Sequence, residues 1–418
     1  MTDAFDLADH LATHGQSHLL EGVDALDAAA RAAYLERLAG VDWNELAHPA
    51  EPVSIQDVGP SRVVTLAERA ERRAEFVAAG DKAYQEGAVA LLMVAGGQGT
   101  RLGFNGPKGC YEIGAHSGKS IYQVQAEKVL ALCKRVGREV PFLVMTSPAT
   151  DVETRAFFAA HDRFGLSESQ LRFFSQGTVP SIAMDGRALM AGPGKLLENP
   201  DGHGGCFQAL LSSGELRRLR DEGVRQIVYI QVDNILAPFD DAELVGLAEI
   251  ENSDVITKVL EKAHPDEKVG HLVRMDDHDV IIEYTEVTPE QTRTKGPDGE
   301  LVYRWGSPAM HCWGINFLAG LEDRNFKLPL HRSVKPLKAW CQGETGEVKG
   351  HKNERFIFDL VPMAGVSLGM QIEREYEFAP VKNAEGADSA ASTRAIASAA
   401  WTEWLRASGV TVELAEGN

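Results

Sequence analysis

The sequence predicts an α/β fold built around a mixed β-sheet, and three observations support this prediction. After residue 85, short apolar runs alternate with amphipathic helical patterns, which is typical of parallel strands covered on both faces. From about Asp254 the runs follow one another without helices between them, which predicts an antiparallel extension. One buried run, AVALLMVA, leads directly into a glycine-rich stretch, and strands of open α/β sheets bind ligands at such carboxyl ends.

The elements of the α/β region can be assigned in chain order. The predicted parallel strands are AVALLMVA, PFLVMTS, LRFFSQG and IVYIQVDN. The predicted helices between them are SIYQVQAEKVLALCKRVG, DVETRAFFAAHDRFG and GGCFQALLSSGELRRLRDEG. The later predicted strands are DVITKVLE, GHLVRM, DVIIEYTEV and AMHCWGINFL.

The patterns divide the 418 residues into three segments. Residues 1–84 carry apolar side chains at helical spacing and are predicted to form an N-terminal helical segment without a catalytic pattern. Residues 85–385 are predicted to form the core, and residues 386–418 a C-terminal helix, STRAIASAAWTEWLRAS, with a short tail. The stretch PVKNAEGADSAAST before this helix is the part of the chain that we predict to be disordered.

Composition and charge narrow the class of protein. The formal net charge of −19 disfavours nucleic acid and anionic membranes as partners. No apolar run approaches the ~20 residues that a membrane span needs, and the acidic N-terminus does not resemble a secretory signal. The five cysteines are scattered and odd in number, which predicts a reduced, cytoplasmic protein without disulfides or a zinc site. The oligomeric state cannot be read from the sequence.

The glycine-rich stretch AGGQGTRLG is the strongest functional signal. Gly96, Gly97 and Gly99 allow positive φ and a close approach of the backbone, so that successive N–H groups can face phosphate oxygens. Arg101 can pair with a phosphate in bidentate fashion, and Lys108, just after a proline, supplies a second cation. A simple glycine turn after a strand is the alternative interpretation.

Two familiar phosphate-binding patterns do not match this stretch. A P-loop requires GxxxxGK[ST], but Gly103 is not followed by Lys-Ser. A dinucleotide fingerprint requires GxGxxG at the start of a helix, but the third glycine is out of register and Pro107 prevents a long helix. The stretch is therefore predicted to be a nucleotide-binding loop of another type.

The sequence LMVAGGQGTRLGFNGPKG resembles the signature of the eukaryotic-type UDP-sugar pyrophosphorylases, the family of UDP-N-acetylglucosamine pyrophosphorylase and UTP-glucose-1-phosphate uridylyltransferase. The resemblance begins in SHLLEGVDAL and continues through FFSQGTVPSI, PDGHGGCFQAL, VYIQVDNIL and KVLEKAHPDEKVGHL to EREYEFAPVKNAEGADS. It implies a glycosyltransferase-A-like, Rossmann-like core. It also implies a magnesium-dependent reaction in which UTP and a sugar 1-phosphate give a UDP-sugar and pyrophosphate.

The resemblance also implies which residues bind the nucleotide and the metal. Arg101, Lys108 and Lys382 would be the catalytic cations, and Asp233, at the end of IVYIQVD, would hold Mg²⁺. From the residues alone, Asp233 could instead cap a turn, and Lys382 could be a surface lysine. The residues implied to bind the nucleotide are Ala95, Gly96, Gly97, Gln176, Gly202 and His203. Among these, Gln176 has the amide donor and acceptor that a uracil edge needs.

The sugar-binding set implied by the resemblance is Gly270, Glu283, Asn316, Phe356 and Phe358. A carboxylate accepts hydrogen bonds from sugar hydroxyls, an amide both donates and accepts, and a glycine lets a sugar rest against the backbone. The two phenylalanines, at alternate positions in RFIFDL, could equally be core residues.

Two questions of function stay open in the sequence. EFAPVKN resembles the N-acetylglucosamine branch of the family, whereas GHG in PDGHGG resembles the UDP-glucose and plant UDP-sugar enzymes, so glucose 1-phosphate or a broad sugar range is the alternative substrate. A protein of another class, a regulator that binds UDP-sugar without catalysis, is a further alternative. The presence of Arg101, Lys108, Asp233 and Lys382 favours an enzyme.

Overall fold

The computed structural model describes residues 4–49, 55, 57–114, 116–341 and 343–413. The α-helices found there, from α1 to α12, are Ala4–Thr13, Ala28–Ala39, Trp43–Ala47, Leu66–Glu86, Ile121–Val136, Asp151–Ala160, Gly205–Ser212, Glu215–Asp221, Ala242–Glu251, Ile315–Asp323, Arg374–Glu377 and Ala390–Ala407. The strands, from β1 to β18, are Val63–Val64, Val89–Val94, Phe142–Thr146, Leu171–Ser175, Thr178–Pro180, Ile182–Ala183, Met190–Gly192, Lys195–Leu196, Glu198–Pro200, Gln226–Gln231, Val255–Glu261, Gly270–Met275, His278–Ile282, Trp305–Ser307, His311–Gly314, His331–Cys341, Glu344–Glu354 and Ser367–Gln371. Among the described residues no helix combines the length and the apolar character that crossing a membrane requires.

The chain folds into two compact units, each assembled from three separate stretches of sequence. The first unit consists of Met1–Pro52, Gln176–Gln208 and Lys327–Ile357. The second unit consists of Val53–Ser175, Ala209–Phe326 and Phe358–Asn418. The contiguous division at residues 84 and 385 was drawn from sequence patterns alone and stays a prediction.

The second unit contains a mixed sheet, which confirms the predicted fold class. Its strand order is β13-β12-β14-β11-β15-β10-β2-β3-β4, with β18 joining β11 to β1. β10, β2, β3 and β4 run parallel, whereas β15 runs antiparallel to both β10 and β11. Every residue of β2 is buried, because helices and connections cover both faces of the parallel strands. The carboxyl ends of β2 and β10 therefore meet at one edge of the sheet.

Helix α5 shows how the sequence determines the elements around this sheet. Ser120 begins the helix, since its hydroxyl accepts a hydrogen bond from the N–H of Gln123. Gly137 ends it with a φ of 76°, a conformation that costs a glycine little. The helix buries its apolar side, including Tyr122 and Val129, in the main core. This is the amphipathic helix that the spacing predicts.

The first unit contains two small sheets and a core of its own. The larger sheet has the order β6-β17-β16-β7-β8, and β5 pairs with β9. Helices α2 and α3 supply buried side chains such as Leu38 and Trp43 to the core. The long hairpin of β16 and β17 was not predicted, because its sequence is rich in lysine and glycine and lacks an apolar alternation.

Several element predictions differ from the structure: the strand predicted as DVIIEYTEV ends at Ile282, and the helix predicted as DVETRAFFAAHDRFG ends at Ala160. The helix predicted over residues 204–223 is two helices, α7 and α8, because Gly214 adopts a φ of 77° between them. AMHCWGINFL is not one strand, since β15 ends at Gly314 and α10 begins at Ile315. The tract predicted to be disordered forms a hydrogen-bonded loop, in which the N–H groups of Lys382 and Asn383 donate to the carbonyl of Asp388.

Candidate active site

The glycine-rich loop leaves β2 at the carboxyl edge of the sheet in the second unit and then folds back. The N–H of Gly99 donates to the carbonyl of Gly106 across 2.9 Å. The N–H of Lys108 donates to the carbonyl of Gly97 across 3.0 Å. These two bonds return Lys108 to the end of the strand from which the loop departs.

Several backbone N–H groups of the loop are available to a ligand. For the part of the chain that the structure describes, no hydrogen bond is found from the N–H of Gly96, Gly97, Gln98, Thr100 or Arg101. A Cβ built on Gly97 would meet no atom within 4 Å, so this α-carbon borders open space. Unpaired N–H groups beside open space form the kind of surface that binds phosphate oxygens. The geometry thus agrees with the interpretation of a phosphate-binding loop.

The expected use of positive φ is wrong for the first three glycines of the loop. Gly96, Gly97 and Gly99 are absent from the described residues that have positive φ, and φ of Gly99 is −82°. The positive values occur later, at Gly103 with 72° and Gly106 with 139°. Gly99 is instead required for space, because a Cβ there would lie 2.8 Å from the ring of a neighbouring phenylalanine.

Lys108 and Asp233 form an ion pair at this edge. Lys108 Nζ donates to Asp233 Oδ2 across 3.1 Å, and the two side chains are only 18% and 16% exposed. Burial acts to raise the pKa of the Asp233 carboxyl, but the charges of Lys108 and Lys382 outweigh it and hold the pKa below its ordinary value. Asp233, two residues beyond the end of β10, is therefore ionised at neutral pH.

Lys108 is held in place by the glycine that follows it. Residues Lys108–Cys110 form a 3₁₀ turn against α5. A Cβ on Gly109 would lie 2.2 Å from the ring of Tyr122, which is fully buried. The Tyr122 hydroxyl lies 3.2 Å from that of Thr154, so the ring is held at both ends. A glycine after the lysine lets the turn pack flat on this ring.

Lys382 reaches the same region from the C-terminal part of the chain. The N–H of Val381 donates to the carbonyl of Asp233 across 3.0 Å. Lys382 Nζ lies 3.6 Å from Asp388 Oδ2 and 5.8 Å from the centre of the Phe378 ring. Its side chain is 42% exposed, so the ammonium group can still be reached from solvent.

Arg101 differs from the two lysines in its surroundings. It lies in the 3₁₀ turn Thr100–Leu102, and its side chain is exposed. No hydrogen bond or ion pair of its guanidinium group is found with the residues that the structure describes. Its charge is therefore uncompensated within this region and is available to an anionic ligand.

In the first unit, Gln176 lies against the turn PDGHGG. Its Nε2 donates to Oδ1 of Asp201 across 3.1 Å and to the carbonyl of Gly202 across 3.3 Å. Because both partners are acceptors, the amide nitrogen must face them and the amide oxygen must turn away. Sequence reasoning missed Asp201, although its position directly before Gly202 in the turn was a usable signal.

The Asp201 carboxyl is enclosed by glycines. Burial raises its pKa to about 6, against the opposing effects of Arg355 and of the bond from Gln176. A Cβ on Gly205 would lie 1.8 Å from Oδ1 of Asp201. A Cβ on Gly202, whose φ is 86°, would lie 2.4 Å from the carbonyl oxygen of Arg355. The glycines of the turn thus serve close packing around Asp201 and Arg355.

His203 and Phe356 stack on each other in the first unit, with ring centres 5.4 Å apart. His203 Nδ1 lies 3.2 Å from the backbone nitrogen of Ile357, from which it accepts a hydrogen bond. Burial, and then the charge of His331, lower the pKa of His203 to about 4. His203 is therefore neutral near pH 7 and carries its proton on Nε2.

Gly270 and Glu283 are brought together by the pairing of β12 with β13. The register sets His271 opposite Ile282, so Gly270 and Glu283 are neighbours at the strand ends. A Cβ on Gly270 would lie 2.9 Å from Cγ2 of Ile281 and 3.7 Å from Glu283 Oε1, so Gly270 packs against Ile281 with the carboxylate beside it. The two residues therefore lie side by side, and their role in binding a sugar stays a prediction.

Asn316 lies apart from the carboxyl edge of the sheet, and its contact with a sugar stays a prediction. Gly314 pairs with Gln226 at the amino end of β10, and the N–H of Ile315 donates to the carbonyl of Arg225. Asn316 is exposed in the first turn of α10, beyond that end of the strand. At about 3.3 Å per residue, the length of β10 separates this end by roughly 16 Å from the carboxyl edge.

Phe358 has the environment of a core residue. It belongs to the second unit, where its side chain is 6% exposed. This burial is that of a core residue, and the contact of Phe358 with a sugar stays a prediction. Phe356 is half-buried and keeps its contact with His203.

A divalent cation fits the chemistry of Asp233. Among the described residues there is no group of three or more His, Cys, Asp or Glu side chains that could hold a metal ion. Mg²⁺ needs no such cage, because it keeps several waters and is bound through one or two carboxylates together with substrate phosphates. The ionised carboxylate of Asp233, next to the glycine-rich loop, matches that donor set.

The mixed α/β sheet and the glycine-rich loop at its carboxyl edge define a nucleotidyltransferase. The profile of the UDPGP family, described as UTP–glucose-1-phosphate uridylyltransferase, matches residues 38–298. The chain belongs to this family.

Curated relatives match almost the whole chain. UDP-N-acetylglucosamine diphosphorylase 2 of Arabidopsis thaliana is 34% identical over 97% of this chain and 83% of its own length. UDP-N-acetylglucosamine pyrophosphorylase of Saccharomyces cerevisiae is 33% identical over 86% of this chain and 79% of its own length.

Solved structures agree with the fold. The crystal structure of UDP-N-acetylglucosamine pyrophosphorylase from Trypanosoma brucei superimposes with a TM-score of 0.82 at 29% identity, covering 99% of this chain and 88% of that chain. A UDP-glucose pyrophosphorylase structure from Leishmania major gives a TM-score of 0.64 at 21% identity, covering 85% of this chain and 77% of that chain. At 21% identity, the similarity to the Leishmania structure supports the fold and nothing further.

Proposed function

We propose that this chain transfers the uridylyl group of UTP to N-acetylglucosamine 1-phosphate, forming UDP-N-acetylglucosamine and pyrophosphate. The observation that carries the proposal is the meeting of Lys108, Asp233 and Lys382 at the carboxyl edge of the sheet, beside a loop with unpaired N–H groups. The choice of N-acetylglucosamine as the sugar rests on the names of the relatives in Arabidopsis and yeast.

The reaction requires positioning and charge neutralisation more than covalent help. An oxygen of the sugar phosphate attacks the α-phosphorus of UTP and forms a new P–O bond. The bond from the α-phosphorus to the bridging oxygen breaks, and its electron pair leaves with pyrophosphate. No general base is needed, since a phosphate monoester is already ionised near neutral pH.

The cations have separate roles in this proposal. The N–H groups after Ala95, at Gly96 and Gly97, and the guanidinium of Arg101 bind the triphosphate. Lys108 neutralises the α-phosphate as charge develops, and Lys382 orients the attacking phosphate. Asp233 would hold Mg²⁺, which when bound supplies further charge stabilisation to the phosphates.

The base and the sugar are assigned to different residues. We propose that Gln176, Gly202 and His203 bind uracil, on the support of the fixed amide of Gln176. Glu283 and Gly270 would bind the sugar, because they lie side by side and a carboxylate can accept hydrogen bonds from two hydroxyls. Phe356 stays a proposed sugar-binding residue through its contact with His203.

The proposal includes a second candidate for the sugar substrate. His203 in the GHG sequence favours glucose 1-phosphate as the second candidate, as the resemblance to the UDP-glucose enzymes implies. We also propose a cytoplasmic location, since all five cysteines are free.

Release of pyrophosphate tests the function directly. The purified protein is incubated with UTP, Mg²⁺ and, in separate reactions, the 1-phosphates of N-acetylglucosamine, N-acetylgalactosamine, glucose and galactose. We expect the highest kcat/KM with N-acetylglucosamine 1-phosphate. A preference for glucose 1-phosphate would contradict the choice of sugar. Tight binding of UDP-sugar without turnover on any substrate would identify the non-catalytic regulator instead.

A further inference from the structure

The side chain of Asn234 connects β10 with the segment that precedes Lys382. Its Oδ1 accepts a hydrogen bond from the N–H of Ala379 across 2.9 Å. Its Nδ2 donates to the carbonyl of Glu377 across 2.8 Å. One amide thus satisfies an acceptor in the last residue of α11 and a donor just beyond it, more than 140 residues away in the sequence.

This connection is rigid because Asn234 is itself fixed. Its side chain is 2% exposed, and its own carbonyl accepts a hydrogen bond from Gln125 Nε2 across 3.1 Å. Its Oδ1 also accepts from the N–H of Leu236 across 3.3 Å. Removing a partner from a buried amide leaves backbone groups unsatisfied, so the arrangement is costly to disturb.

The segment from residue 377 to residue 382 is held at successive points. Beyond the two bonds from Asn234, the N–H of Val381 donates to the carbonyl of Asp233 across 3.0 Å. Thr393 Oγ1, in α12, donates to the carbonyl of Pro380 across 2.7 Å. Asn234 is therefore one of several anchors, and it is the one that directly follows the carboxylate of the site.

We propose that Asn234 is a positioning residue that sets the location of Lys382 relative to Asp233. The proposal rests on the proposed function, in which Lys382 orients the phosphate of the sugar. Asp233 and Asn234 are adjacent, so the residue that would hold the metal and the residue that anchors the second cation move as one unit. A shift of the segment would displace the Lys382 ammonium without touching the nucleotide loop.

A double-mutant cycle distinguishes an effect of Asn234 on the position of Lys382 from a general effect of Asn234 on the stability of the protein. Displacement of a reacting group by about 1 Å can cost on the order of 100-fold in rate. We expect Asn234→Ala to lower kcat/KM for the sugar 1-phosphate by about 10- to 100-fold. We expect KM for UTP to change much less. In a Lys382→Ala background, Asn234→Ala should have little further effect, because the group it positions is gone.

Matched variants control for loss of packing. Val129→Ala removes buried side-chain atoms from α5 in the same core. Val129 takes no part in the hydrogen bonds that hold residues 377–382, so its effect should add to that of Lys382→Ala. Asn234→Asp keeps the side-chain volume and the acceptor for Ala379 but cannot donate to Glu377. It replaces Asn234→Ala in the cycle if the alanine variant does not fold.

The outcomes distinguish the inference from the function on which it rests. Non-additive losses from Asn234 and Lys382, with additive losses from Val129, support the positioning role. Additive losses at Asn234 and Lys382 in an active enzyme overturn the inference alone. No pyrophosphate from the wild-type protein with any sugar 1-phosphate overturns the proposed function, and the inference falls with it.

Discussion

The Nζ atom of Lys108 lies 3.1 Å from Oδ2 of Asp233. A cation that follows the glycine-rich loop and a carboxylate just beyond the end of β10 thus lie next to each other at the edge of the sheet. The formal net charge of the whole chain is −19, so a triphosphate would be repelled by its average surface. The pair shows how a local cation is held where the bulk charge would not favour an anion.

Replacement of Lys108 by alanine tests the importance of this cation. We expect kcat to fall by about 10²–10³-fold, the cost of removing one group that stabilises developing charge. Pyrophosphate release measures this loss, and circular dichroism checks the fold. Lys134→Ala is the control, since Lys134 is on α5, away from the loop, and its variant should keep wild-type activity. Wild-type turnover in a folded Lys108→Ala protein would contradict the assignment of the loop.

The parallel core and its loop could be predicted because local chemistry determines them. The apolar run of β2 is favourable only in a buried strand, and the glycine stretch begins where that strand ends, at the edge of the sheet where ligands bind in such folds. The position of Asp233 followed from the same logic, as a carboxylate at the end of a buried strand. Contacts between residues distant in sequence could not be predicted in this way. The hydrogen bond between Asn234 and Ala379, for example, produces no recognisable pattern in the sequence around either residue.

Two glycines of the loop should respond to alanine in opposite ways. Gly97→Ala adds a methyl group to open space at an ordinary φ, so the free energy of unfolding should be unchanged while KM for UTP rises. Gly109→Ala drives its methyl group into the buried Tyr122 ring and should destabilise the protein by about 1–3 kcal/mol.

Thermal unfolding and UTP kinetics on the same two variants measure both effects. Each glycine variant is the control for the other, because they lie in one loop and receive the same substitution. Destabilisation of Gly97→Ala, or an unaltered unfolding temperature for Gly109→Ala, would contradict the packing described for that glycine.

The raised pKa of Asp201 predicts an unusual pH dependence of stability. Burial raises the pKa to about 6 from an ordinary 3.8, so between these values the folded state binds more protons than the unfolded state. The free energy of unfolding contributed by Asp201 therefore decreases as pH rises from about 4 to 6, by up to about 3 kcal/mol. Asp201→Asn should flatten this part of the profile, as denaturant titrations at several pH values would measure. An identical slope in both proteins would contradict the raised pKa.

The same carboxylate should influence the choice of base. Ionised Asp201 can only accept hydrogen bonds, so the amide nitrogen of Gln176 faces it and the amide oxygen of Gln176 faces away. In the proposed function, this oxygen would accept the hydrogen bond from the N3–H of uracil. An asparagine at position 201 can present a donor and permits the amide to rotate. We expect Asp201→Asn to reduce the preference for UTP over CTP, measured as the ratio of their kcat/KM values. An unchanged ratio, even with lower activity, would show that Asp201 acts only through stability.

The sugar-binding residues show the limit of sequence reasoning most clearly. Gly270 and Glu283 lie side by side because β12 and β13, which follow each other in the chain, pair in antiparallel register, and their role in sugar binding stays a prediction. Asn316 was assigned to a strand, but α10 begins one residue before it. The turn from β15 into α10 depends on the bond from Ile315 to Arg225, which belongs to a distant part of the sequence. Propensity alone could not locate that boundary.

The kinetic effects of Asn316→Ala and Glu283→Gln should differ, because the two residues lie in different parts of the sheet. Asn316 is exposed beyond the amino end of β10, so its loss should change kcat/KM by less than about twofold, as for ordinary surface substitutions. Glu283→Gln is isosteric but weakens acceptance of hydroxyl hydrogen bonds, and KM for the sugar 1-phosphate should rise about tenfold or more. Steady-state kinetics with UTP saturating measure both variants under the same conditions. An Asn316→Ala defect as large as that of Glu283→Gln would show that Asn316 reaches the sugar, and the strand register described for β15 would then be incorrect.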